Sequence, residues 1–184
     1  MPTPILETPR LLLRPLELAD AEQAQRLFPQ WEIVRLLASA VPWPFPADGV
    51  RQYYEHVALP AILRGDEWHW TLRLKAQPDQ LIGAISLIRE GETNRGFWLG
   101  QPWQGQGLMS EACLAVTDFW FEVLGRDKLR VTKAAANIAS RRISEKHGMR
   151  LVETKESNYV SGRLPTEVWE ITKEEWRSRR NMLS

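Results

Sequence analysis

The stretch Phe97-Trp98-Leu99-Gly100-Gln101-Pro102-Trp103-Gln104-Gly105-Gln106-Gly107-Leu108-Met109-Ser110-Glu111-Ala112 constrains the fold more than any other part of the chain. Apolar, strand-forming residues run into a turn rich in Gly and Pro. That turn opens directly into helical spacing, with Leu108, Ala112, Ala115, Phe119 and Val123 on one face before Gly125. Strand, tight turn and helix in immediate succession call for helices layered on a sheet. Gly105 and Gly107 have no Cβ, so the backbone there can adopt unusual dihedrals and approach a ligand closely. The first amides of the helix lack acceptors within it and sit at the positive end of its dipole, a setting suited to an anion and best matched by phosphate. A plain tight turn with glycines for packing fits the same residues.

Two nucleotide readings fail on the residues themselves. A Walker loop needs Lys after its last Gly, and none follows Gly107. A dinucleotide fingerprint needs a third Gly where Ser110 stands and an acid ending the next strand, which here closes in Ala134-Ala135-Ala136. A third pattern, Gln/Arg-x-x-Gly-x-Gly/Ala, fits Gln104 and Gly107 and departs at Met109.

Period and punctuation supply the other elements. Strands are predicted at Arg10–Leu16, Trp68–Leu74, Leu81–Ile88, Arg95–Leu99, Leu129–Ala134, from Leu151 to Thr154, and Thr166–Ile171. Helices are predicted at Leu18–Phe28, Trp31–Leu37, after Asp48, at Leu108–Leu124, Ile138–His147, and from Lys173. Turns are expected at Gln77-Pro78-Asp79 and Gly91-Glu92-Thr93-Asn94. An antiparallel meander followed by alternating strands and helices gives a mixed α/β (α+β) domain, read as one unit over residues 1–184. The run Val41-Pro42-Trp43-Pro44-Phe45-Pro46 excludes helix and forms an extended loop that either covers a pocket or joins two helices. Of the nine Trp, most are expected in the core and its rim, and only those beside a motif in an aromatic-lined cleft.

Composition narrows the function classes. Twenty-four Lys and Arg against 23 Asp and Glu leave a net charge of +1, no footprint for a nucleic-acid binder. The single Cys, Cys113, rules out an intrachain disulfide and a thiolate metal cluster; it reads as a small core residue. His56 and His147 show no metal-ligand spacing, so no metal is expected. The Arg177, Arg179 and Arg180 cluster reads as a solvated helix end. No apolar run suits a membrane span, Met1-Pro2-Thr3-Pro4 lacks the features of a signal peptide, and a cytoplasmic location is expected.

Downstream of the glycine turn, Asn137 stands where strand turns to helix, and Ser140 follows one turn later, so both can face one site. The segment Asn137-Ile138-Ala139-Ser140-Arg141 followed by Glu145-Lys146-His147-Gly148-Met149 resembles the GNAT superfamily of acyl-CoA-dependent N-acetyltransferases, in its RimJ/RimL-like branch. The similarity runs from Thr8-Pro9-Arg10-Leu11 to the Gly162-Arg163 hairpin and Glu174-Glu175-Trp176. It implies a largely antiparallel sheet of about seven strands with two central strands splayed to admit coenzyme A. It further implies a diphosphate cradle at Gln104, Gly105, Gln106, Gly107, Leu108 and Met109, and a pantetheine arm beside Phe97, Trp98 and Leu99. A backbone amide near Trp98 or Leu99 would polarise the thioester carbonyl. Asn137 would meet the pantetheine or acetyl region, Ser140 the sulfur, and Arg141 the phosphates.

The implied activity is transfer of an acetyl group from acetyl-CoA to a primary amine by direct attack. A protein or peptide N-terminus is the expected acceptor, with a polyamine or aminoglycoside-like amine, or a non-catalytic acyl-CoA sensor, as alternatives. A monomer or homodimer is expected. An alkyl ammonium must lose a proton before it attacks, whereas the departing thiol needs little more than a hydroxyl donor. The Tyr that many relatives carry seven residues after the Asn is Ser144 here, which leaves Ser140 as the candidate acid. For the base, the resemblance implies a sixth-strand position that matches Asn158, with Glu156 two residues earlier on the same face. Relatives with a Glu before the fourth strand place it where this chain has Asn94, near Glu92; His69 is a further candidate.

Overall fold

The structure is a computed structural model that describes residues 1–183. Eight strands form two antiparallel sheets. The first contains β1 (Leu6–Glu7), β2 (Leu11–Pro15), β3 (Glu67–Leu74), β4 (Gln77–Ile88) and β5 (Arg95–Leu99), in chain order. The second orders β6 (Lys128–Ala134), β8 (Gly162–Thr172) and β7 (Arg150–Tyr159). The expected mixed, largely antiparallel sheet is therefore present, with eight strands rather than about seven and divided between β5 and β6.

The helices are α1 (Ala21–Leu27), α2 (Trp31–Val34), α3 (Gly49–Tyr53), α4 (Leu59–Arg64), α5 (Leu108–Asp118), α6 (Ile138–Lys146) and α7 (Lys173–Leu183). A π segment at Tyr54–Ala58 joins α3 to α4, and a second at Phe119–Val123 prolongs α5 to nearly the length its apolar face predicts. Each apolar pattern buries against its own layer. Leu11, Leu13, Trp68, Trp70, Leu72, Ile85 and Leu87 cover one face of the first sheet. There they meet Leu108, Ala112, Cys113, Val116, Phe119 and Trp120 of α5 and its extension. Trp70 packs edge-on to Phe119 with ring centroids 5.5 Å apart. The opposite face carries a smaller cluster of Leu16, Ala21, Ala24, Val50, Tyr54 and Leu81.

Five Trp residues, 68, 70, 120, 169 and 176, are buried. Trp31 and Trp43 are exposed and lie against each other, 5.5 Å between centroids. The Pro-rich run joins α2 to α3, with Phe45 edge-on to Phe28 of the loop after α1. The expected turn at Gln77–Asp79 lies instead within β4, because the chain reverses at Lys75 and Ala76. Arg73, buried, donates to the carbonyls of Pro78 and Asp79 and pairs with Asp20 at 2.5 Å, which holds the irregular register beside the reversal.

Candidate active site

The strands β5 and β6 start side by side and then separate. Asn94 ties them at the joined end: its amide donates to the Arg130 carbonyl at 2.7 Å, and its Oδ1 accepts from the Arg130 amide at 2.9 Å. Thr93 Oγ1 accepts from the Thr132 amide at 3.3 Å. Beyond this tie, β5 pairs only with β4, and β6 only with β8. Gly100 donates to Ile82 O at 2.8 Å, and Trp98 stands opposite Ala84. By antiparallel alternation, the main-chain groups of Phe97 and Leu99 point away from β4, into the gap, while those of Trp98 are taken up by β4. Of the two amides expected to polarise a carbonyl, Leu99 is thus the open one.

A cleft of about 690 Å³ occupies this gap. Phe97, Trp98, Leu99, Trp103, Gln104, Gly105, Gly107, Leu108 and Met109 line it from the β5 side, and Asn137, Ser140, Arg142 and Lys146 from the α6 side. Its roof is the α2 segment from Glu32 to Leu37. That segment is stitched across the opening: Val160 and Ser161 donate to the carbonyls of Leu37 and Arg35, and Gln101 Nε2 donates to Glu32.

The glycine turn closes one end. Gly105 and Gly107 take left-handed conformations, φ +74° and +78°, and Gly107 is the residue before α5. The amides of Leu108, Met109 and Ser110 precede the first acceptor of that helix. Side chains brace the loop from behind. Gln104 Nε2 donates to Leu99 O at 2.8 Å, and Gln106 Nε2 to Pro102 O at 3.0 Å; of residues 104–109, Gln106 alone does not line the cleft. Arg10 donates to the Gln106 carbonyl and to Glu111. Thr8 Oγ1 and the Arg10 amide also donate to Glu111, at 2.5 and 2.8 Å. Partial burial raises the Glu111 carboxyl, but these hydrogen bonds outweigh it and hold the group below its ordinary range.

At the other side, Asn137 caps α6, its Oδ1 accepting from the Ser140 amide at 3.1 Å. Asn137 and Ser140 both line the cleft, and neither Asn137 Nδ2 nor Ser140 Oγ has a hydrogen-bond partner among the described residues. Arg141 departs from expectation: it pairs with Glu145 at 3.0 Å and Glu167 at 3.3 Å, off the cleft, whereas Arg142 and Lys146, one turn apart, line it.

The base candidates also lie elsewhere. Glu156, opposite Pro165 on β7, pairs with Arg163 at 3.6 Å. Glu92 is exposed beyond the joined end of the strands and pairs with Lys155 at 2.8 Å, a bond that lowers its carboxyl. His69 is buried on β3 with Nε2 2.5 Å from Glu67, and β4 separates it from β5. Strand position and register keep Glu156 and His69 out of the cleft, and Glu92 stays out because it sits in the loop between β4 and β5. Among the described residues Glu32 is the only carboxylate lining it.

Three further groups escaped the sequence reading. Lys133, inward on β6 after Leu129 and Val131, is buried; its Nζ donates to the Ser140 carbonyl at 3.0 Å and to Ser144 Oγ. Burial, with Arg95 nearby, pulls this ammonium down to about 7. A lysine in phase with apolar strand residues was the available signal. Ser110 lines the cleft and lies 3.0 Å from His147 Nε2. Glu32 carried no signal, since only the fold brings α2 over the split.

A split sheet with open helix amides at one end and a polar helix cap opposite suits an enzyme that takes an extended, phosphate-bearing co-substrate, and the class is that of the acetyltransferases. Residues 10–150 match the family described as "Acetyltransferase (GNAT) domain", and the chain belongs to that family of acetyl-CoA-dependent enzymes. It is similar to the Probable N-acetyltransferase YjcK of Bacillus subtilis (strain 168), 27% identical over 160 residues that cover 78% of this chain and 82% of the relative. Its fold matches RimL, a ribosomal L7/L12 alpha-N-protein acetyltransferase in complex with coenzyme A, with TM-score 0.78, 15% identity and 92% and 98% of the two chains covered. RimJ of Mycobacterium smegmatis, in complex with CoA-disulfide, gives 0.79, 15%, 93% and 88%. Among the described residues no helix is long and apolar enough to cross a membrane, and no group of three or more His, Cys, Asp or Glu could hold a metal ion.

Proposed function

We propose that the protein transfers the acetyl group of acetyl-CoA to a primary amine, with a protein N-terminus as the favoured acceptor. The observation that carries this reading is the cleft itself, with the Phe97 main-chain groups and the Leu99 amide open along one wall and helix amides across its end. An extended, amide-bearing pantetheine arm matches the wall as a further strand would. The diphosphate matches the amides at Leu108, Met109 and Ser110. Arg142 and Lys146 supply cations for the remaining phosphate, in place of Arg141.

When bound, the thioester supplies an acyl carbon whose departing thiol is a good leaving group. The Leu99 amide is the donor for the carbonyl oxygen as negative charge develops on it. Asn137 holds the arm through its free side-chain amide nitrogen, and the Ser140 hydroxyl passes a proton to the departing sulfur while taking up, through water, the proton that the attacking nitrogen sheds. The amine enters beneath α2, where Glu32 draws the ammonium in, and its proton leaves through water. The name of RimL, an alpha-N-protein acetyltransferase, supports a peptide acceptor. The test is acetyl-CoA consumption measured over a panel of N-terminal peptides, polyamines and aminoglycosides. Turnover on peptides with a free α-amine is expected; turnover confined to the small amines would replace the acceptor.

A further inference from the structure

We propose that His147 is a positioning residue: it turns the proton of the Ser110 hydroxyl into the cleft, as a donor to the anion held at the start of α5. The inference rests on the reading of the cleft as a coenzyme A site, and it concerns a pair of buried residues behind the amide cradle.

Ser110 lies in the first turn of α5 and lines the cleft, yet it is 7% exposed. Its Oγ is 3.0 Å from Nε2 of His147, which is 2% exposed at the end of α6. The imidazole is clamped by packing edge-on to Trp176 of α7, 6.1 Å between centroids. Its other nitrogen, Nδ1, is buried and has no hydrogen-bond partner among the described residues.

These facts select a tautomer. Burial, reinforced by Arg95, Lys146, Arg179 and Lys133, pushes the imidazole down to about 3, so it is neutral and carries one N–H. With the proton on Nδ1, a buried N–H donor would have no acceptor, a rare and costly arrangement. With the proton on Nε2, the ring donates to Ser110 Oγ and leaves Nδ1 a bare acceptor. Ser110 then has its own proton free. Among the described residues Ser110 Oγ has no other hydrogen-bond partner, the N–H groups around it can only donate, and the direction open to its proton is the cleft. Were Oγ–H to donate to the ring instead, oxygen lone pairs would face the incoming anion and repel it. His147 therefore sets the sign of the dipole that Ser110 presents.

The experiment combines coenzyme A calorimetry on the full chain with imidazole 15N NMR. Ser110→Ala is expected to weaken coenzyme A about tenfold to a hundredfold, the range for a hydrogen bond to a charged group. His147→Leu is expected to weaken it severalfold, and His147→Gln, whose amide can replace the Nε2–H, to recover most of that loss. The double variant Ser110→Ala/His147→Leu is expected to bind no more weakly than Ser110→Ala alone. Multiplying losses would assign His147 to packing and overturn the proposal. The wild-type spectrum is expected to show the proton on Nε2; a proton on Nδ1 overturns the proposal even if the Leu variant fails to fold. Wild-type protein that does not bind coenzyme A would instead sink the functional reading. Normal binding by Ser110→Ala sinks only this inference.

Discussion

Gly105 and Gly125 form a matched pair that separates an anion cradle from an ordinary turn. Both are left-handed, at φ +74° and +66°, and a Cβ built on either meets no heavy atom within 4 Å. Alanine at either position therefore costs the fold the strain of left-handed backbone, about 1–2 kcal/mol, and no steric clash. In a chain of this size that lowers the melting temperature by about 2–8 °C. The two differ in position, for Gly105 lines the cleft and Gly125 follows the extension of α5. Ala at Gly105 both stiffens the cradle and places a methyl group where the diphosphate would rest. Gly105→Ala should weaken coenzyme A at least tenfold, about 1.4 kcal/mol, while Gly125→Ala leaves affinity unchanged. Thermal unfolding and calorimetry on both variants provide the readout. Equal melting shifts with equal, unaltered affinities would refute the cradle and leave a plain turn.

Ser140→Ala should reduce kcat at least tenfold while coenzyme A affinity stays within twofold, since the hydroxyl is assigned to the departing sulfur and not to binding; steady-state kinetics with calorimetry checks both. Arg142→Ala and Lys146→Ala should each weaken coenzyme A and flatten the dependence of its affinity on salt, whereas Arg141→Ala, paired with Glu145 and Glu167, should leave both unchanged. Lys133 predicts a pH effect. Its folded-state pKa, near 7, lies below that of the unfolded chain, about 10.4, so the unfolded state binds more protons between those values. Stability should rise with pH through that window, and urea titrations of Lys133→Met should show the rise abolished.

The region from β5 through the glycine turn to α5 was legible because three local signals agree there: β-prone residues, paired glycines and a continuous apolar helix face. The tryptophans of β3 were legible for a similar reason, since Trp68, Trp70 and Leu72 alternate and share one buried face. For β7 the sequence marks only the start, Leu151 to Thr154, whereas the strand spans Arg150–Tyr159. Its residues Glu153 to Ser157 are polar on both faces, and only pairing with β8 holds them extended. At the site, residue types on the cradle could be read, but directions could not. Arg141 and Arg142 are adjacent in sequence and a hundred degrees apart on the helix, and tertiary packing decides which faces the cleft. The same applies to Glu156, Glu92 and His69, whose types suit proton transfer but whose places on β7, on the β4–β5 loop and on β3 pair them with Arg163, Lys155 and Glu67.

Because Asn94 fastens β5 to β6 at one end only, the protein carries two unzipped strand borders in its middle. Open borders of this kind normally invite strands of other molecules to add on, the first step toward aggregation. Here they face each other across a narrow slot lidded by α2, so that a slender, flexible chain can slip between them and a folded neighbour cannot. The geometry that leaves these borders open to a slender chain also shields them from the edge of a folded sheet.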